Sequence, residues 1–545
     1  MTLTNTLRRI ALVAAGLLCS LTMSSVPANP AAFTVQQPDG TRLTLRLEGD
    51  EHCRYYRNIA TGEAMTLTPD GRYVTLPAAT LALRSERAAL RRAASDRRRM
   101  ARSVVRPVAS PGASTPDSRR CRATMLGQPY VGQKRGLVIL INFSDKRFAA
   151  SHTRSTFDDY FNREGYDGDG NIGSVHDYFY DQSYGQFDLC FDVVGPVTLS
   201  RPMSYYGRNN VYGYDDHPGE MVIEACRMVH EQGVNFADYD WDGDGEVDQV
   251  FVIYAGYGEN HNAPTTTIWP HEWTLTDAYN DYADGEGPIM LDGVTIDTYA
   301  CSSELYGKTG TTLCGIGTAC HEFSHCLGLP DFYNTAVSGG SYGMSYFDLM
   351  HYGSYSGPLG IGEVPCGYSA YERWMAGWLV PQPIVGPTTV EAMPSIADAP
   401  VAYIMVNPAN PDEYLLIEHR VCDRWFAWIS AFEAGHGLFV VHVDYDDDAW
   451  YDNTVNNDTS HQRMSIVPAN GVKGSTSAQC RAMYFPGPNG VTSLTPSSHM
   501  RCGGMWFSPE GYIGHHLTHI TETDDFISFV VDGGVPDGTL LAGVE

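Results

Sequence analysis

The chain has 545 residues, with 36 basic and 64 acidic side chains, a formal net charge of −28 and 43% hydrophobic residues. That content is ample for several core layers or more than one folded unit and excludes a chain disordered throughout, while the acidity disfavours nucleic acid as a partner. The charge is split along the sequence. Residues 1–120 hold 18 arginines, no lysine and 9 carboxylates, so the acidic excess lies beyond them, where calcium can neutralise clustered carboxylates.

Arg8 and Arg9, an apolar run from Ile10 to Leu21 and small residues up to Ala28 have the form of a secretory signal, with cleavage expected near Ala28. Cys19 follows Gly16-Leu17-Leu18, which does not favour lipidation. No later run of about 18 apolar residues occurs, so no membrane span is expected. Of the 13 cysteines, 12 lie beyond the signal, an even number compatible with disulfides or with buried thiols.

From Phe33 to about Pro77 apolar and polar residues alternate, with turns at Pro38-Asp39-Gly40 and Pro69-Asp70-Gly71, so short β-hairpins are expected. Ala79 to Val105 then reads as a basic helix and the following Pro- and Ser-rich stretch as a linker. A basic helix suits a nucleic-acid or membrane arm, but its place before an acidic partner region favours a strap laid on that region.

The next unit is expected to start near Cys121. Leu137–Asp145 and Phe251–Gly258 read as buried strands, with helices around Thr153–Asn162, Ser174–Gln182 and Gly219–Gln232. Asp240, Asp242, Asp244, Glu246 and Asp248, with Gly245 at the sixth position, have the spacing of a loop that wraps calcium. Phe251 stands where an EF-hand has its last glutamate, so the loop is not a complete one. Asp167-Gly168-Asp169-Gly170-Asn171 offers fewer donors and reads as a plain turn.

Gly315 to Asp331, GIGTACHEFSHCLGLPD, carries the chemistry. On a helix, His321 and His325 share one face and can reach one zinc ion at about 2.0–2.1 Å from each nitrogen. Glu322 beside them can take a proton from water whose pKa the ion lowers towards about 7, and pass it to a leaving amine. Leu313, Ile316, Cys320, Phe323 and Leu327 make the apolar stripe that supports a helix. Gly328 then turns the chain through a left-handed conformation and Pro330 blocks helix, which brings back Asp331 as a candidate third ligand. Glu363 and Glu372 remain open as alternatives. Cys320 and Cys326 are off the histidine face.

HEFSHCLGLPD followed by YFDLMHYGSY resembles the secreted bacterial metalloproteases of the immune inhibitor A family. Gly173 to Ser200, Asp238 to Glu259, Ile268 to Trp273 and Ser369 to Leu379 resemble family segments as well. The resemblance implies a zinc endopeptidase made as a preproprotein, with an α+β, zincin-type catalytic domain. Met350 resembles the methionine beneath the metal in metzincins, and by likeness to astacin-type enzymes Tyr352 can donate to the tetrahedral oxyanion. His351 reads as structural.

From Ile396 onward YIMVNP, EYLLIEHR, GLFVVHVDY, QRMSIVP and FISFVVDGG read as short strands. The expected organisation is signal peptide 1–28, propeptide 29–120, catalytic domain 121–395 and a β-rich part, 396–545, packed on it. The expected activity is hydrolysis of peptide bonds in extracellular proteins, with catalytic zinc, structural calcium, protein or peptide substrates, and the propeptide as partner in the latent state. The rival reading is a non-catalytic, calcium-stabilised surface or adhesion protein on a protease scaffold; a binding module has no need of Glu322.

Overall fold

A computed structural model describes residues 26–50, 53–68, 71–85, 130–210, 213–336, 342–407, 410–472, 474, 476–495 and 515–533. The signal up to Ser25, most of the basic helix, the linker and the expected domain start at Cys121 lie outside the described residues.

The alternating N-terminal stretch forms an antiparallel meander of β1 (Ala32–Gln36), β2 (Arg42–Glu48), β3 (Tyr55–Asn58), β4 (Ala64–Leu67) and β5 (Tyr73–Thr75). Its first turn is the expected Pro-Asp-Gly, where the Thr41 N–H donates to Asp39 Oδ1 at 2.9 Å.

The central sheet has the order β7 (Phe187–Thr198), β6 (Gly132–Asn142), β8 (Val250–Tyr257), β12 (Thr298–Leu305), β9 (His271–Thr274), with a small hairpin, β10 (Ile289–Leu291) and β11 (Val294–Ile296), beside it. Neighbours pair in parallel except β9, an antiparallel edge. Both faces are covered, which is why β6 and β8 read as continuous apolar runs. Val138 and Leu140 pack with Phe157, Phe179 and Phe323, from helices Arg154–Asn162, Val175–Gln182 and Ile316–Cys326. Leu137, Ile139 and Ile141 pack on the other side with Met221, Val229 and Ala278, from helices Pro218–Glu231 and Leu275–Tyr282. The first two helices start where expected because Thr153 and Ser174 each close a capping box.

Among the described residues beyond 380 the regular elements are mostly strands. β13 (Gln382–Pro383), β15 (Tyr403–Asn407), β16 (Asn410–Arg420), β19 (Gly437–Asp444) and β20 (Met464–Ile466) form one sheet. β14 (Thr388–Met393), β22 (Phe526–Val531) and β21 (Leu517–Thr523) form another, and β17 (Trp428–Ile429) pairs with β18 (Phe432–Glu433). This part shares its core with the histidine helix: Phe323 and Met350 belong to the same buried cluster as Phe439, Val441 and Tyr484. The ten cysteines among the described residues are all free thiols, most of them buried.

Candidate metal centre and active site

The apolar stripe anticipated for Gly315–Asp331 enters the core through Leu313, Ile316, Cys320, Phe323 and Leu327, and the helix spans Ile316–Cys326. Its first N–H is taken by Asn171 Oδ1 at 3.3 Å, so the short acidic turn serves as a cap from another part of the chain. Gly317 lets the helix abut the loop after Met350: a Cβ there would lie 2.0 Å from the Ser354 carbonyl oxygen. Gly328 has φ +92° and its N–H returns to the His325 carbonyl at 2.8 Å, which ends the helix as anticipated.

The turn brings Asp331 to the two histidines. Nε2 of His321 lies 3.2 Å from Nε2 of His325, and Asp331 Oδ1 lies 3.2 Å and 3.4 Å from those nitrogens. All three residues are fully buried. His321 Nδ1–H donates to the Leu349 carbonyl at 2.8 Å and His325 Nδ1–H to that of Leu329 at 2.7 Å, so both Nε2 lone pairs are turned inward. The expected methionine turn thus has a definite task. Leu349 orients the first histidine, and the Met350 carbonyl takes the Phe332 N–H, next to the aspartate, at 2.9 Å.

These residues fit a metal ion. Asp331 Oδ1 is buried and accepts no hydrogen bond, so acceptor atoms face one another with no hydrogen between them. Ligands about 2.0–2.1 Å from a tetrahedral zinc stand about 3.3–3.4 Å apart, the spacing found here. Burial would raise the Asp331 pKa, but the imidazoles of His325 and His321 hold it well below the usual carboxylate range; burial lowers that of His321.

Sequence reasoning missed the clamp on Asp331. Asn453, in the β-rich part, donates from Nδ2 to Asp331 Oδ2 at 2.8 Å and accepts the Asp331 N–H on Oδ1 at 2.7 Å. Thr335 Oγ1–H donates to the Asn453 carbonyl at 2.8 Å. Nothing in the local sequence around Asn453 marks it as a partner of Asp331.

Glu322 is buried beside the ligands, and its Oε1 accepts the backbone N–H of Val26 at 2.7 Å. The segment that follows lies along the site. The Val26 carbonyl accepts Trp269 Nε1–H at 3.1 Å, the Pro27 carbonyl accepts the Tyr355 hydroxyl at 2.7 Å, and the Asn29 N–H donates to the Asn260 carbonyl at 2.8 Å. Val26 is 0% exposed and Ala28 2%. Arg54 of the N-terminal meander pairs with the buried Glu259 and lies over the Trp269 ring. The expected signal cleavage near Ala28 falls within the segment: a cut there releases it, whereas a cut at or before Val26 keeps it.

Tyr352 packs on Tyr346 and His351, and its hydroxyl pKa is raised by burial and by nearby Tyr346 and Glu48. The hydroxyl that meets the bound segment belongs to Tyr355. Both alternative ligands are engaged elsewhere. Glu363 accepts the N–H groups of Leu359 and Ile361, and Glu372 accepts the Ser369 N–H in the capping box of helix Ala370–Met375. His351 Nδ1 accepts the Ser345 N–H at 2.8 Å, in keeping with a structural role.

In the acidic loop Asp240, Asp242 and Asp244 come together, each carboxylate taking backbone N–H groups of the loop itself. Glu246 and Asp248 are not part of that group; Asp248 accepts the Trp241 N–H at 2.5 Å, and burial pushes its pKa up to about 7.

Residues 127–379 match the family model for the immune inhibitor A peptidase M6 catalytic domain. The chain carries an immune inhibitor A peptidase domain. It is 27% identical over 284 residues to the pre-pro-metalloprotease PrtV of Vibrio cholerae serotype O1, which covers 45% of this chain and 30% of that protein. It is 24% identical over 280 residues to immune inhibitor A of Bacillus thuringiensis subsp. alesti, covering 45% of this chain and 39% of that one. The match thus spans well under half of either relative. Asn453 lies beyond the matched catalytic domain, although it holds that domain's candidate third ligand.

Proposed function

We propose that the chain is a secreted zinc endopeptidase of zincin type that cleaves extracellular proteins and is made as a preproprotein, with the domain boundaries expected from sequence. The observation that carries the reading is the Val26 N–H on Glu322 Oε1, at 2.7 Å, beside three converging ligand atoms. A peptide nitrogen rests where a general acid must deliver its proton.

His321, His325 and Asp331 would hold zinc, which when bound supplies Lewis acidity towards a carbonyl and a lower pKa for water. The Leu349 and Leu329 carbonyls keep both imidazoles in the ligating tautomer, and Asn453 keeps Asp331 turned inward. Glu322 takes the proton of the attacking water and returns it to the departing amine nitrogen. A chain that still carries Val26–Asn29 has the same place filled and is latent; the expected cut near Ala28 removes Val26, Pro27 and Ala28 and opens it. The loop at Asp240–Asp248 would take calcium as a structural ion.

Glu322→Gln in the secreted, activated protein should retain zinc and fold while losing casein cleavage, and chelation should silence the wild type. Casein cleavage by the variant at the wild-type rate would refute the assignment.

A further inference from the structure

The hydrogen bonds on Val26–Asn29 describe more than an obstruction. With Val26 N on the proton-transfer carboxylate, Val26 occupies the position of the first residue on the leaving, amine side of a scissile bond. Pro27, Ala28 and Asn29 then trace the second to fourth leaving-side positions. The groups that meet the backbone of Val26, Pro27 and Asn29 come from different elements of the catalytic half, whereas the Ala28 N–H is taken by the Gly49 carbonyl of the N-terminal meander at 2.7 Å. Trp269 Nε1–H meets the first carbonyl at 3.1 Å, Tyr355 Oη–H the second at 2.7 Å, and the Asn260 carbonyl the fourth N–H at 2.8 Å.

These groups are themselves fixed. Asn260 Nδ2–H donates to Tyr355 Oη at 3.1 Å, which leaves the hydroxyl proton for the peptide carbonyl. The Tyr355 ring lies against His261, at a centroid distance of 5.9 Å, and that histidine is buried with neither ring nitrogen hydrogen-bonded. The Trp269 N–H is held by Asp215 Oδ2 at 2.9 Å. Contacts made to backbone atoms do not depend on side chains, so any extended peptide can use them. Two features restrict the choice: the Val26 side chain is wholly buried, and the second position is a proline, which has no N–H to satisfy.

Resting on the peptidase reading, we propose that Trp269, Tyr355 and Asn260 are the backbone-binding groups of the leaving-side substrate channel, and that the channel takes peptides with an aliphatic residue at the first leaving-side position and tolerates proline at the second. Trp269 and Tyr355 position the peptide through successive carbonyls; neither moves a proton.

The test uses the full chain after its own activation, zinc-loaded, and two quenched peptides alike up to the scissile bond. One continues as Val-Pro-Ala-Asn; the other ends in valine amide, which keeps the first carbonyl and lacks the second. Tyr355→Phe should raise KM about tenfold on the long peptide, with kcat within about twofold, and leave the short peptide unaffected. Trp269→Phe should weaken both. Replacing the first leaving-side valine by aspartate should abolish cleavage of either peptide. Equal losses on both peptides for Tyr355→Phe, or equal cleavage of the valine and aspartate peptides, overturn the channel while leaving the peptidase reading intact. No cleavage of casein or peptide by zinc-loaded wild type overturns both. Zinc content and melting temperature equal to wild type exclude misfolding of the variants as the cause.

Discussion

Asn453→Ala tests whether the β-rich part completes the metal site. The substitution removes two hydrogen bonds from a residue 3% exposed, one to the Asp331 carboxylate at 2.8 Å and one from its N–H at 2.7 Å. A hydrogen bond to a charged group contributes about 1.5–3 kcal/mol, and a buried N–H left without an acceptor costs about 1–3 kcal/mol. Part of that loss appears as stability. The part that matters for the site is the freed carboxylate, and partners behind a metal ligand are typically worth about 10–100-fold in affinity. We therefore expect zinc affinity, measured by competition with a chromogenic chelator, to fall about 10–100-fold, equivalent to about 1.4–2.7 kcal/mol. Asn453→Asp, nearly isosteric but setting carboxylate against carboxylate, should be no better than alanine. Asp331→Ala should lose more than either. Zinc affinity within twofold of wild type in Asn453→Ala, alongside a large loss in Asp331→Ala, would refute the clamp. No loss in either would remove Asp331 from the ligand set.

Gly328→Ala places a Cβ at φ +92°; it should cost about 1–2 kcal/mol, seen as a lower melting temperature, and loosen His325 through the Leu329 carbonyl. Removing divalent cations should destabilise the loop carrying Asp240, Asp242 and Asp244, so a chelator should lower the melting temperature and added calcium restore it; zinc alone restoring it would argue against a calcium site. Glu522 lies against His419 and His436, and although burial opposes it, those partners lower its pKa to about 2, while its hydrogen bond raises that of His436. The depressed acid stabilises the fold above the ordinary glutamate pKa, near 4.3, and loses that contribution as pH falls towards 2. The raised histidine contributes below about 6.5 and loses its effect as pH rises through its folded value. The gap in melting temperature between wild type and Glu522→Gln should thus be largest at about pH 4.5–6.5 and close under strong acid; a gap independent of pH would exclude this ion-pair account.

What was legible in the sequence was local. The spacing of His321, Glu322 and His325, the stop at Gly328 and the return of Asp331 lie within one helix and its terminal turn, so periodicity and turn chemistry were enough. Strands β6 and β8 of the central sheet and the helices Arg154–Asn162, Val175–Gln182 and Pro218–Glu231 were legible for the same reason, whereas β7, β9, β12 and helix Leu275–Tyr282 were not singled out. The strand order of the sheet was not legible, because parallel neighbours such as β6 and β8 are separated by a long stretch of chain. The supporting residues were equally out of reach: Asn453 is 122 positions from Asp331 and Trp269 is 243 from Val26. Only Gly353 and Ser354 separate Tyr352, singled out by resemblance, from Tyr355, whose hydroxyl meets the bound segment. Nothing in the local pattern distinguishes the two tyrosines; only the fold brings Asn260 and Pro27 to the second. Nor did composition indicate that residues next to the expected signal cleavage site would reach the catalytic glutamate.

The most direct measurement of the central claim is a zinc add-back titration of the metal-free, activated chain, following casein cleavage and bound zinc together. Activity should rise in proportion to zinc and level off at one equivalent per chain, with Glu322→Gln binding the same equivalent and cleaving nothing. Cleavage that survives without metal, or a Glu322→Gln curve matching wild type, would contradict the account.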